Sequence, residues 1–234
     1  MIVALKDLTA VVFDLDGTVG DTFAAHAATG RELFRRRHDQ LKPECRDTLG
    51  GELTDEVLRE HYYGPSGEQV LDYFTGDRTA IRREAGELFS ANRGLVQVYP
   101  GFLQVLKVIK DRKLTTGIIT DADTREAQVV LEVARALPLC REFGLEDFLA
   151  RMPIVGSEGR SPKPATEALY RFQDLIRERL GQPWLYVGDE PVDVEFSIAA
   201  GAKSDYVGNA PLNELRPDFE LPLDPLARAL DENR

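Results

Sequence analysis

The chain has 234 residues, 43% of them apolar and 29% charged, with a formal net charge of −11. That length holds one large domain or a core with a small second one, and the composition is that of an ordinary globular protein. The acidity argues against nucleic acid and against an acidic membrane as partners, because both are met by basic patches.

Ala10 to Phe13 is an apolar run that reads as a buried strand, and it stops at Asp14-Leu15-Asp16-Gly17-Thr18. Gly17 lets the backbone turn sharply, so both acids gather at the strand's carboxyl end, where parallel sheets place their ligands. Residues 22–94 then read as nearly all helix. Phe23, His26, Ala27, Gly30, Leu33 and Phe34 share one helical stripe, closed by Arg35-Arg36-Arg37-His38-Asp39. Thr54 caps a second helix carrying Val57, Leu58 and His61, which Gly64-Pro65 stops. Ser66 and Gln69 form a capping box for a third, ending at Gly76. Asp77 caps a fourth with Ile81, Ala85, Leu88 and Phe89, stopped by Gly94. Four short helices with no strand pattern predict a small bundle inserted into the chain.

An alternation of strands and helices follows. Tyr99-Pro100-Gly101 breaks the chain before a helix from Phe102 to Lys110, and Leu114 to Ile119 is a second buried strand ending at Thr120-Asp121. Asp123 and Glu126 box the start of a helix from Thr124 to Leu137. Pro153 to Gly156 is a short third strand, and Ser161-Pro162-Lys163-Pro164 is a stiff turn into a helix reaching Leu180. Trp184 to Val187 is the fourth strand, ending in Gly188-Asp189-Glu190-Pro191-Val192-Asp193. A short helix stops at Gly201, Ser204 to Val207 is the fifth strand, and a Pro-rich tail from Asn209 holds a last helical turn near Leu226 to Leu230. The predicted fold is α/β: a Rossmann-like parallel-sheet core formed by 1–20 and 96–234, with a small helical cap domain over 21–95. Cys45 and Cys140 are too few for a disulfide scaffold. With no signal-peptide pattern in Met1 to Leu8 and no apolar run of membrane-spanning length, a cytoplasmic location is the expectation.

The strand and loop endings differ in chemistry. The first brings two carboxylates, the second a hydroxyl, the loop around Lys163 an ammonium, and the fourth strand two more carboxylates. Acids this close repel one another unless something positive lies between them, and a hard divalent cation with oxygen ligands meets that need. Phosphoryl transfer to a side chain uses such a set: a carboxylate nucleophile, a metal, a second carboxyl to move protons, and donors for the equatorial oxygens.

Phe13-Asp14-Leu15-Asp16-Gly17-Thr18, with Val19-Gly20-Asp21-Thr22 after it, resembles the first signature of the haloacid-dehalogenase-like hydrolase superfamily in its phosphatase form. The inserted helices resemble the cap of its phosphoglycolate-phosphatase and β-phosphoglucomutase-like branch. The resemblance implies Asp14 as nucleophile and metal ligand. It implies Asp16 as general acid/base, giving the metal its backbone carbonyl. Thr120 matches the hydroxyl of the second signature and Lys163 the ammonium of the third. Asp189 and Asp193, in Gly-Asp-x-x-x-Asp, match the fourth and complete a Mg2+ site, while Asp21 matches a first-loop acid that is not a primary ligand.

Gly17, Thr18, Asp121 and His26 are candidate substrate contacts, although His26, on an apolar stripe, also reads as a hydrogen-bonded packing residue. Arg31, His61, Tyr62 and Tyr63 are open between substrate contact and bundle packing, and the arginine run reads as a solvated face. Two features depart from the pattern: Asp121 stands where the family commonly has Asn, and Glu190 adds an acid directly after Asp189. Either would repel substrate if aimed into the phosphate pocket, so outward or hydrogen-bonded side chains are expected. Gly20 is a hinge candidate or an ordinary loop glycine. The resulting expectation is a Mg2+-dependent phosphatase acting on a small phosphorylated metabolite through an aspartyl phosphate, as a monomer or homodimer. A β-phosphoglucomutase-type mutase is the alternative, which Thr18 disfavours. A dehalogenase would leave Asp16 without a role, and a phospho-accepting or phosphate-binding regulatory protein would be shorter and uncapped, or would lack Asp14 or Asp16.

Overall fold

A computed structural model of the chain describes residues 5–63, 67–208, 212 and 215–232. In chain order its strands are β1 (Ala10–Phe13), β2 (Gly20–Asp21), β3 (Gln97–Val98), β4 (Thr115–Ile119), β5 (Ile154–Val155), β6 (Trp184–Gly188) and β7 (Lys203–Tyr206). Its α-helices are α1 (Phe23–Arg36), α2 (Pro43–Leu49), α3 (Asp55–Leu58), α4 (Gly67–Leu71), α5 (Arg78–Ala91) and α6 (Pro100–Arg112). After β4 come α7 (Thr124–Ala136), α8 (Pro138–Glu142), α9 (Glu146–Ala150), α10 (Glu167–Ile176), α11 (Pro191–Ala200) and α12 (Leu223–Glu232).

The five-stranded sheet runs β5-β4-β1-β6-β7, all parallel, with β1 at its centre. A central strand buried on both faces must be apolar throughout, and all four residues of β1 are buried. Alternate side chains serve opposite layers. Val11 and Phe13 pack with Ile118, Leu185 and Val187 under α6, α7 and α12, and Phe13 meets Phe102 edge-on at 5.3 Å. Ala10 and Val12 pack with Ile119, Trp184 and Tyr186 against Phe172 of α10 and Phe196 of α11. Phe13 pairs with Ile118 and Val187 on its two sides, so Asp14 is level with Ile119 and Gly188, and Thr120 and Asp189 follow one residue further along the same edge. The register alone brings three sequence-distant polar endings to one edge.

The helices between β2 and β3 build a separate cluster from Leu33, Phe34, Leu41, Leu58, Tyr62 and Ile81, with Phe34 stacked on Phe74 at 5.7 Å. Four helices without strands were expected here. The structure adds α2, started by Pro43 at its first turn, and a π-helical turn at Arg59–Tyr63 that continues α3. It also adds the antiparallel pair of β2 with β3, where the chain enters and leaves this helical block. A Cβ on Gly20 would sit 2.6 Å from the Gln97 carbonyl oxygen, so this glycine is required by close strand approach. The Gly64-Pro65 stop and Ser66 of the predicted capping box lie outside the described residues.

Elsewhere boundaries move. The helix expected to reach Leu180 ends at Ile176, where Arg177 takes a left-handed C-cap conformation, and the expected terminal turn is the full helix α12. α8 and α9 lie where no helix was predicted: Pro138 opens α8, and each is a single short piece with too few residues to show a period. The capping box of Asp123 with Glu126 is present, as are the N-caps by Thr54 and Asp77. Among the described residues no helix is long and apolar enough to cross a membrane.

Candidate active site

Asp14 follows the last residue of β1, and its N–H is held by the Val187 carbonyl at 2.8 Å. Lys163, in the loop between β5 and α10, reaches it across 149 residues of sequence, with Nζ donating to Asp14 Oδ1 at 2.6 Å. The same ammonium donates to Asp193 Oδ1 at 2.5 Å and lies 3.5 Å from the Tyr186 hydroxyl, which is itself fixed by the Ile119 carbonyl. All three charged groups are buried. Burial pushes the Asp14 carboxyl well above the usual carboxylate range, and Lys163 only partly offsets it because Asp193, Asp189 and Asp16 add repulsion. Lys163 moves the other way: burial disfavours its charge, but Asp14 and Asp193 more than reverse that and hold it well above the ordinary lysine value.

Asp193 is aimed by the start of α11. Glu190 and Asp193 make a reciprocal capping box in which Asp193 Oδ2 accepts from the Glu190 N–H at 3.0 Å, leaving Oδ1 for Lys163. Glu190 is thereby exposed and engaged, in line with the expectation for it. Asp189 accepts from the Thr18 hydroxyl at 3.1 Å. Burial, then Asp193 and Glu190, push its carboxyl up to about 7. Gly17 has φ +73°, and a Cβ there would lie 2.0 Å from Asp189 Oδ2, so the turn after β1 admits Asp189 only with glycine.

Carboxylate oxygens of Asp14, Asp189 and Asp193 all lie within 4.8 Å of one another. Three hard oxygen donors so close, with Asp189 short of positive partners, fit a divalent cation. The Asp16 carboxylate does not join them. It turns toward α1, where it accepts from the Thr22 hydroxyl and lies 3.4 Å from His26 Nε2, a contact without hydrogen-bond alignment. Burial raises the Asp16 carboxyl, yet His26 and Thr22 outweigh it and the net shift is downward. Burial lowers the His26 imidazole, and Asp16, with Glu126 and Asp123 behind it, turns the net shift upward. His26 is also packed among aromatic rings, 4.6 Å from Phe89 and 5.4 Å from Tyr63, as expected of a packing residue, and it lines the same cavity as Asp14.

Thr120 is buried, and its Oγ1 accepts from the Ala122 N–H at 3.1 Å. Asp121 is hydrogen-bonded, as expected of it: its carboxylate accepts from the Lys163 N–H at 3.1 and 3.2 Å and lies 2.9 Å from Nη2 of Arg160. Asp21 is exposed and accepts from Phe23 N–H at the start of α1. A cavity of about 340 Å³ runs from Asp14, Thr120 and Lys163 to His26, Tyr62 and Arg82 of the helical block. Arg31 is paired instead with Asp55, His61 lies near Glu60, and the arginine run is matched by Glu32 and Glu84.

Sequence reasoning missed Thr22 as a partner of Asp16, Arg82 and Glu126 as cavity walls, and Arg160. Thr22 sat inside the quoted signature, whereas Arg82 and Glu126 lie on helices whose periodicity gave no hint of a shared cavity. Arg160 had one available signal, the extra acid at position 121, which requires a counter-charge if it is buried near the site.

A profile of the haloacid dehalogenase-like hydrolases matches residues 11–207. The chain is 30% identical over 224 residues to pyrophosphatase PpaX of Bacillus pumilus, covering 92% of each. It is 24% identical over 226 residues to a phosphoglycolate phosphatase of Shigella dysenteriae, covering 85% of this chain and 81% of that protein. A solved hydrolase of Pseudomonas syringae shares the fold with a TM-score of 0.66 at 19% identity, over 96% of this chain and 98% of that one.

Proposed function

Because the chain belongs to the haloacid dehalogenase-like hydrolase family, we propose that it is a Mg2+-dependent phosphatase that cleaves a small phosphorylated metabolite by way of phosphorylated Asp14. The observation that carries this reading is the buried Asp14 carboxylate at the end of β1, ion-paired to Lys163 and grouped with Asp189 and Asp193. Two relatives bear phosphatase names, a pyrophosphatase and a phosphoglycolate phosphatase, which supports phosphoryl transfer over carbon–halogen chemistry.

Asp14 attacks phosphorus, and the bond to the leaving oxygen breaks as the bond to the carboxylate forms. Lys163, the Thr120 hydroxyl and backbone N–H groups beyond β1 neutralise the equatorial oxygens. Asp14, Asp189 and Asp193 would hold the Mg2+, with the Asp16 carbonyl as the further ligand implied by the family signature. When bound, that ion screens the phosphoryl oxygens from the surrounding carboxylates. Asp16 and His26 together hold a proton beside the cavity, and that proton passes to the leaving oxygen. The Asp16 carboxylate then accepts one from the attacking water as the water oxygen bonds to phosphorus, the bond from phosphorus to Asp14 breaks, and phosphate and the Asp14 carboxylate are released. The helices over 21–95 act as the cap that closes the cavity, and its volume of about 340 Å³ suits a small metabolite. Gly17 and Thr18 serve this site through Asp189, and Asp121 through Lys163.

The test is phosphate release from phosphorylated sugars, nucleotides, two- and three-carbon acids and pyrophosphate, with Mg2+ and with chelator, in wild type and Asp14→Asn. The reading requires release that depends on both the ion and Asp14. An isomerised sugar phosphate with little free phosphate would replace it with the mutase.

A further inference from the structure

Arg160 lies in the loop after β5, and its side chain is fully buried, at 0% exposure. Its donors bind two carbonyls of its own loop and one at the end of β4. Nε donates to the Gly156 carbonyl at 2.7 Å, Nη1 to the Ser161 carbonyl at 2.8 Å, and Nη2 to the Thr120 carbonyl at the end of β4. Nη2 also lies 2.9 Å from Asp121 Oδ1. The Asp121 carboxylate in turn holds the Lys163 N–H at 3.1 and 3.2 Å, so the guanidinium and this carboxylate tie the Thr120 end of β4 to the Lys163 loop. Asp121 lines the cavity together with Asp14 and Lys163. A carboxylate there without a counter-ion would oppose an incoming phosphoryl group.

We propose that Arg160 and Asp121 are a positioning pair, in which Arg160 sets Thr120 and Lys163 in register and cancels the charge of Asp121 toward an anionic substrate. The pair does not touch the reacting atoms; it acts through Thr120 and Lys163, and the inference rests on the phosphatase reading above. A planar fork with several fixed donors suits three carbonyls and a carboxylate, and a lysine ammonium does not replace it.

The experiment measures p-nitrophenyl phosphate hydrolysis with Mg2+ in wild type, R160M, R160K, D121N and the R160M/D121N double variant. Inorganic phosphate affinity, read by thermal shift, gives a second ordering without turnover. R160M is expected to raise KM and weaken phosphate binding about tenfold, more steeply at low salt, and to lower kcat. In R160M/D121N, KM returns to within about threefold of wild type while kcat stays low, since the charge conflict is gone but the carbonyls have lost their donor. R160K keeps KM within about twofold and loses about tenfold in kcat. If KM is the same in R160M and the double variant, or R160K matches wild type, the proposal is overturned. Should R160M fail to fold, D121N decides: an uncompensated Arg160 lowers KM and tightens phosphate binding, and an unchanged or higher value of both overturns the pair. Failure of the phosphatase reading shows separately, as equal phosphate release by wild type and D14N.

Discussion

The two acids of the first loop, two residues apart, are held in opposite ways. Asp14 is fixed from within the sheet, by a lysine 149 residues away that also grips Asp193. Asp16 is fixed locally, by a threonine six residues on and by a histidine of α1. The first arrangement is set by strand register and contacts across the sheet edge, while the second is made within the segment that leads into the helical block. In the proposed mechanism the difference separates the nucleophile, Asp14, from the acid/base, Asp16, whose partners Thr22 and His26 stand at the start of α1, and so ties the proton chemistry to the helical block.

If that contrast holds, Asp14→Asn lowers phosphate release by at least about 10³-fold while the folded state survives, because the amide removes a nucleophile and not a packing element. Lys163→Met comes next and damages both properties. It leaves Asp14 and Asp193 buried without their counter-ion, so unfolding should show a loss of about 3–5 kcal/mol beside a collapse in rate. Intact stability in that variant would mean the core side is not tied through this ammonium. His26→Asn should be milder, about tenfold in kcat, with stability nearly retained. Its signature is in the pH profile: without His26 the forces lowering the Asp16 carboxyl weaken, so the limb belonging to Asp16 moves to higher pH. A pH profile identical to wild type would break the link between Asp16 and the helical block.

The smaller effects concern charge without chemistry. Asp189 has its carboxyl pushed up to about 7, so it is largely protonated at pH ~5 and ionised at pH ~8. Mg2+ should therefore raise the melting temperature more at pH ~8 than at pH ~5, and chelation should erase the difference. Asp205 on β7 is a control outside the site. It is buried, its Oδ2 has no hydrogen-bond partner among the described residues, and burial pushes its carboxyl up to about 7. A raised acid binds its proton more tightly in the folded than in the unfolded chain, so its contribution to stability falls as pH climbs from about 4 to about 7. Asp205→Asn should match wild type at pH ~4, gain stability relative to it up to pH ~7, and leave kcat alone. Melting curves across that range read the margin, and a constant margin would show that burial does not strain this carboxylate.

How much of this was readable in the sequence follows from the same contrast. The parallel sheet could be read because β1 and β6 are apolar runs and β4 a β-branched stretch closing on Ile118-Ile119, each followed by a polar ending at Asp14, Asp189 and Thr120, and register then brings those endings to one edge. Lys163 stood out through its proline flanks. Residues acting from helix faces were hidden, because Arg82 and Glu126 obey the helical period whether or not a cavity lies beneath them. α2 was missed because Pro43 reads as a break until it is seen at a first turn. Arg160 was hidden for a different reason: a loop arginine carries no pattern, and only its three carbonyl partners reveal its use.

The account stands or falls on a covalent bond to one side chain. Turnover of p-nitrophenyl phosphate with Mg2+, quenched in acid and reduced with borohydride, converts an aspartyl phosphate to homoserine that peptide mass spectrometry can place. The expected result is homoserine at position 14, absent from Asp14→Asn. Steady phosphate release with the modification at another residue, or at none, would contradict it.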